Sequence, residues 1–195
     1  MNLTFHILVL LHKELISRAA SQQSTLESWR KTLPSIWRIL LLKLADTLRL
    51  SGPEILQIMK EEIHATSLWT TINLEESIQM IIETASLVIS SVFSRSMPPS
   101  QDAESQALIF VEPLGVILGI APWTSPLILG FRACLPVIAV GNTVILEGSE
   151  LSPRIHCFIA DLFRKAGFPP VSVTSFFIEM SMFPVSSKRS SSNKR

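Results

Sequence analysis

The chain has 195 residues, 47% of them hydrophobic and 17% charged, with 17 Lys+Arg against 16 Asp+Glu. Such a length allows one domain or a domain and a fraction, and such a composition demands a buried core and excludes disorder throughout. A net charge of +1 creates no long-range field for nucleic acid or an anionic membrane, so neither is expected as a partner.

The start of the chain, Leu3 to Leu11, is as apolar as the core of a signal peptide, but no Lys or Arg precedes it and His6 interrupts it. Trp37, Leu40, Leu41, Leu44, Ala45 and Leu48 then recur at helical spacing, with Pro34 near the first turn where its missing N–H costs nothing. Ser51 and Glu54 form a capping-box pair ahead of Ile55, Leu56, Met59 and Ile63, so a second helix is predicted directly after Leu50. A third stripe, Leu74, Ile78, Ile81, Ala85 and Val88, fades into the polar Ser94 to Glu104 segment with Pro98 and Pro99.

After that linker the pattern changes. Ala107 to Val111 and Val116 to Ala121 are short apolar runs rich in β-branched residues, bounded by Pro113, Gly115 and Pro122, and read as strands. Leu114 to Phe131 carries no charge over a length that approaches a membrane span, but Pro122, Pro126, Gly115, Gly119 and Gly130 break it, so a strand, a turn and a helix are predicted instead. An apolar helix over Ser125 to Val140 ends at Gly141-Asn142, and Thr143 to Leu146 follows as a buried strand. Ser152 caps a last helix with Pro153 at its first position, core residues Ile155, Phe158, Ile159, Leu162 and Phe163, and Gly167 past its end.

Strands alternating with helices at about 30 residues per unit specify a parallel sheet with right-handed crossovers. The expected fold is α/β: a helical lead-in over residues 13–100, then the first βαβα half of a doubly wound Rossmann-like cofactor domain, incomplete, over 101–170, then a divergent, disordered tail over 171–195. In such sheets ligands bind beyond the carboxyl ends of the strands. Here those ends are Ile120-Ala121-Pro122-Trp123-Thr124 and Glu147-Gly148-Ser149-Glu150.

Cys134 and Cys157 lie far apart with no CxxC, which excludes a disulfide scaffold or zinc module and suits a cytoplasmic protein. Each falls inside an apolar helical pattern, where a small buried hydrophobe is expected rather than a reactive thiol. His6, His12, His64 and His156 show no paired metal-ligand spacing, so no metal is implied. The Ser- and Lys/Arg-rich run from Ser186 to Arg195 reads as a solvated tail.

Four pieces, Glu112-Pro113-Leu114-Gly115-Val116, Ile120-Ala121-Pro122-Trp123, Gly141 to Leu146 and Gly148-Ser149-Glu150-Leu151-Ser152-Pro153, occur in an order and spacing that resembles the aldehyde dehydrogenase superfamily. Pro126 to Ala133, after the Pro-Trp pair, is most similar to the branch acting on aromatic aldehydes such as salicylaldehyde or vanillin. The likeness runs from about Lys13 to Pro170.

The resemblance implies NAD(P)-dependent oxidation of an aldehyde to the acid, by a Cys thiolate with a Glu base, both beyond the matching segment. It places Ile120, Pro122, Trp123, Glu147, Gly148 and Glu150 at the cofactor and Thr124 at the position of the family's oxyanion-stabilising Asn. Thr offers a single shorter donor there. Glu147 stands where the family usually has Lys, reversing a charge at the adenosine ribose. Glu150 matches the acidic partner of the ribose hydroxyls, or else is a first-turn glutamate favoured by the helix dipole. Two carboxylates repel a ribose 2′-phosphate, so NAD, bound weakly or not at all, is expected over NADP.

The chain therefore reads as an amino-terminal fragment of such an enzyme, truncated before the nucleophile and base and inactive alone. The alternative is a non-catalytic pseudoenzyme that binds and regulates a full-length relative, as a homo- or hetero-oligomer. By resemblance the small-molecule partner is an aldehyde.

Overall fold

A computed structural model describes residues 3–93, 112–170 and 172–177. The lead-in is helical: α1 (Leu3–Trp29), α2 (Pro34–Leu50), α3 (Gly52–Ile63) and α4 (Ser67–Phe93). Strands and helices then alternate through β1 (Val116–Ala121), α5 (Pro126–Ile138), β2 (Thr143–Gly148), α6 (Pro153–Ala166) and β3 (Val173–Phe177).

The helices form where apolar spacing dictates. Trp37, Leu41, Leu44, Ala45 and Leu48 of α2 are all buried, as are Leu74, Ile78, Ile81, Ala85 and Val88 of α4. The capping box expected at Ser51 does not form. Ser51 sits at φ −85°, ψ 2° with no side-chain cap bond, because its own N–H already closes α2 on Thr47 O at 3.0 Å. An N-cap hydroxyl needs the extended backbone that aims it at the next turn, and the bridge conformation withholds it.

The sheet is parallel in the order β1-β2-β3. Val116 to Ala121 pair in register with Thr143 to Gly148, and Val144 to Gly148 with Val173 to Phe177. The alternation βαβαβ is the α/β arrangement the sequence predicts, and it places α5 and α6 as crossovers on one face. Gly119 permits the close approach of α5: a Cβ there would lie 3.1 Å from Ala133 Cβ and 3.2 Å from Ala133 O.

The other face carries α1. Arg18 Nη1 donates to Ser175 O at 3.0 Å, Gln22 Nε2 to Val144 O at 2.9 Å and Thr174 Oγ1 at 2.8 Å, and Thr25 Oγ1 to Pro170 O at 3.0 Å. These three residues stand three and four apart, which puts them on one face of the helix. Trp29 at the end of α1 joins an aromatic run through Trp37 and Phe168 to Phe163 and Phe131, with ring centroids 5.0–6.0 Å apart.

One further expectation lies outside the described residues and another needs correction. The strand predicted over Ala107 to Val111 lies outside the described residues. The disordered tail was expected from residue 171, yet Val173–Phe177 forms β3 along β2. A run of Val, Thr and Phe favours extended backbone, and the open edge of β2 supplies the hydrogen bonds that stabilise it.

Candidate functional site

Parallel registration brings the two informative strand ends side by side, Ala121 against Gly148 and Ile120 against Glu147. Side chains alternate between faces along a strand. Gly119 faces α5, whereas Thr174, opposite Ile145, faces Gln22 of α1. Ile120 and Glu147 therefore share the α1 face at the carboxyl edge of the sheet.

Ile120 is 69% exposed, a large apolar side chain left open beside a carboxylate. Pro122 and Thr124 are exposed too, and Trp123 is 45% exposed. Pro126 then opens α5, so the Pro122 to Ser125 segment is a short loop between two fixed elements. The second strand end contributes Gly148, buried, and Glu150, half-buried in the turn before α6. Ser152 N donates to Ser149 O at 3.0 Å and Leu151 N to Ser149 Oγ at 3.2 Å, closing that turn, while Ser149 Oγ reaches Glu150 Oε2 at 3.5 Å.

One residue escaped the sequence reading. Trp69, in the first turn of α4, donates from Nε1 to Thr124 O at 3.3 Å and is 40% exposed. It gives the β1 loop an aromatic wall. The available signal was an aromatic residue just after a helix start, yet nothing in the one-dimensional pattern links it to a loop 55 residues away.

Partial burial pushes the Glu147 carboxyl above its ordinary value. Between the unfolded and the raised folded value the folded chain binds more protons than the unfolded one, so stability falls as pH rises through that window and stays reduced above it. Glu147→Gln is expected to raise the melting temperature at pH 7, and the gain should vanish below about pH 4, where both states are protonated. A gain that persists at low pH would assign the effect to something other than this charge.

The cysteines lie elsewhere. Cys134 is fully buried in α5, and desolvation drives its thiol far toward the protonated form. Cys157 was expected to be buried but is exposed. On α6 the inward positions are Ile155, His156, Phe158, Ile159, Leu162, Phe163 and Ala166, and residue 157 falls between them; its Sγ accepts from Ser175 Oγ at 3.7 Å.

Among the described residues no group of three His, Cys, Asp or Glu converges as a metal site, and no helix is long and apolar enough to cross a membrane.

The aldehyde dehydrogenase family model matches residues 12–177. Salicylaldehyde dehydrogenase of Pseudomonas putida is 33% identical over 156 residues, covering 80% of this chain and 32% of that protein. Vanillin dehydrogenase of Pseudomonas fluorescens is 35% identical over 148 residues, covering 76% of this chain and 30% of that one. The crystal structure of a salicylaldehyde dehydrogenase from Pseudomonas putida G7, complexed with salicylaldehyde, superposes with a TM-score of 0.82 at 30% identity, over 88% of this chain and 35% of the other. The chain thus spans about a third of the length of the curated relatives it matches.

Proposed function

Since this chain belongs to the aldehyde dehydrogenase family, we propose that it supplies the adenosine-holding half of a nicotinamide dinucleotide site in the oxidation of an aromatic aldehyde. The observation that carries this reading is the registration of Ile120 with Glu147 at the carboxyl edge of a parallel sheet, with Glu150 in the turn just beyond. An exposed apolar side chain there suits an adenine face, and a half-buried carboxylate suits two ribose hydroxyls. Ile120, Pro122, Trp123, Gly148 and Glu150 would hold the group there. When bound, the nicotinamide accepts the hydride that an aldehyde loses on oxidation.

Glu147 opposes this binding. Its charge stands beside the ribose position, its partial burial already disfavours ionisation, and together with Glu150 it repels a 2′-phosphate. NAD is therefore preferred to NADP. Thr124 carries a single hydroxyl donor toward a developing oxyanion, and Trp69 beside it offers an apolar wall suited to an aromatic substrate. A thiolate nucleophile is not expected from Cys134, which is sealed in the core, or from Cys157, which lies on α6 away from the β1 loop. The chain assayed alone is expected to show no NAD-dependent oxidation of benzaldehyde-type substrates.

Calorimetric titration tests the cofactor reading. NAD should bind the original chain more weakly than about 1 mM, and Glu147→Lys should improve binding by about 1 kcal/mol, roughly fivefold, as a charge-assisted hydrogen bond replaces a repulsion. Micromolar binding by the original chain, or no gain in the variant, would overturn the opposing role of Glu147, and no binding by either would overturn the cofactor site itself.

A second reading, a non-catalytic partner of a full-length relative, draws support from β1. Among the described residues β1 pairs only with β2, and it exposes Leu118 and Ile120. Co-purification with such a relative, disrupted by Leu118→Glu, would favour it.

A further inference from the structure

The cap of α6 comes from an unexpected place. Ser152, the residue predicted to cap this helix, makes no capping bond; its Oγ lies 3.3 Å from His156 Nδ1, which in turn donates to Ser152 O at 2.8 Å. Pro153, the first helical residue, has no N–H to give. The first two backbone donors of α6 are thus those of Arg154 and Ile155, and both go to a single side chain on another element. Arg154 N donates to Glu62 Oε1 at 2.6 Å and Ile155 N to Glu62 Oε2 at 3.1 Å.

Beside this pair, Arg154 Nη1 donates to Glu61 Oε2 at 2.7 Å. That bond, joined by one from Gln57, holds the Glu61 carboxyl below its ordinary value. A carboxylate spanning two adjacent amides at the positive end of a helix makes two charge-assisted hydrogen bonds and is stabilised by the helix dipole.

We propose that Glu62 is a positioning residue of the nucleotide site, holding the loop that carries Glu150 through its grip on the first turn of α6. The inference rests on the nucleotide reading of Glu150 given above. The loop from Ser149 to Ser152 is short. One end is fixed where Gly148 pairs with Ala121 and Phe177, and the other enters the turn that Glu62 clamps. With both ends set, a segment of this length has few conformations left. Losing the clamp frees the first turn of α6 to fray, and the carboxylate of Glu150 then no longer has a fixed place. The lead-in helices would in this way set the geometry of the cofactor loop without touching the cofactor.

The test uses the full chain with AMP as the probe, since AMP carries the adenosine ribose. Ligand-observed NMR suits millimolar binding, and hydrogen exchange reads the loop directly. The original chain is compared with Glu62→Gln, which keeps one acceptor oxygen, Glu62→Ala, which keeps none, and Glu61→Ala, which removes the neighbouring ion pair but leaves the amides capped. Exchange over residues 149–155 should quicken about tenfold in Glu62→Ala and less in Glu62→Gln, with AMP affinity falling in the same order, while Glu61→Ala changes neither by more than about twofold. If Glu62→Ala fails to fold, Glu62→Gln alone must show the intermediate effect on both readouts.

Loop exchange unchanged in the Glu62 variants, or quickened with full AMP affinity kept, would overturn the positioning role while leaving the nucleotide reading intact. A folded original chain that binds no AMP would overturn the nucleotide reading and the positioning role together.

Discussion

Trp29→Ala is expected to cost about 3–5 kcal/mol, enough to unfold most of the population of a marginally stable domain at 25 °C. Trp29 is 1% exposed, and its ring lies 5.7 Å from that of Trp37 and 5.6 Å from that of Phe168. It is the point where α1 is pinned both to the helical layer and to the segment that leads into β3, so truncation opens a cavity shared by three elements. Urea denaturation followed by circular dichroism reads the loss. Trp29→Phe is the informative control. The indole Nε1 is buried with no hydrogen-bond partner among the described residues, so a smaller ring without that donor gives up volume but no hydrogen bond. It should cost clearly less than the alanine variant. A loss below about 1 kcal/mol for Trp29→Ala would mean that α1 is held by its polar stripe alone.

The second large effect is expected at Gly141, in the turn from α5 into β2. Its φ of +84° is a conformation that other residues adopt only under strain, and an added Cβ would lie 2.8 Å from Trp37 Cη2 and 2.9 Å from Pro113 Cγ. Both neighbours are rings and cannot fold away. Gly141→Ala should therefore combine backbone strain of about 1–2 kcal/mol with overpacking of about 1–3 kcal/mol, a total of roughly 2–5 kcal/mol. Thermal unfolding measures it. Pairing the change with Trp37→Leu isolates the Trp37 contribution, because the smaller side chain should remove that clash but neither the one with Pro113 nor the strain. Equal penalties in both backgrounds would show that Trp37 is not the obstacle.

The same neighbourhood shows which features were legible in the amino-acid sequence. Gly141-Asn142 marked the end of a helix correctly because turn chemistry is local; Asn142 Oδ1 also accepts from Gly115 N at 2.8 Å, which sequence spacing does not reveal. Apolar stripes placed α2, α4, α5 and α6 because each buries one face. The capping predictions at Ser51 and Ser152 failed for a shared physical reason: a hydroxyl in the right place is only one of several groups competing for the same donors. At Ser51 the preceding helix fixed the backbone first, and at Ser152 a carboxylate from α3 took the amides. Trp69 and Glu62 stayed invisible because their roles depend on which helix packs where. The strand ends carrying Ile120, Glu147 and Glu150 were readable as ends; their registration came only with the sheet. Cys157 was misplaced because an apolar helical pattern was read without assigning its inward face.

The polar stripe of α1 carries a consequence for how the chain reaches its native state. Arg18, Gln22 and Thr25 close on acceptors 157, 122 and 145 residues further along. Of the described helices, the first in chain order is thus among the last to find its place. At about 5–20 residues per second, synthesis of the intervening chain takes on the order of ten seconds, during which the sheet-facing side of α1, with Gln22 and Thr25, lacks its acceptors. Contacts of such separation slow folding, since ordering the intervening chain must precede the reward. Early release of α1 from chaperones would favour association through that uncovered face, whereas a nascent chain held until β3 emerges can seat the helix in one step. The timing of β3, a strand of five residues, therefore governs the fate of an element made long before it.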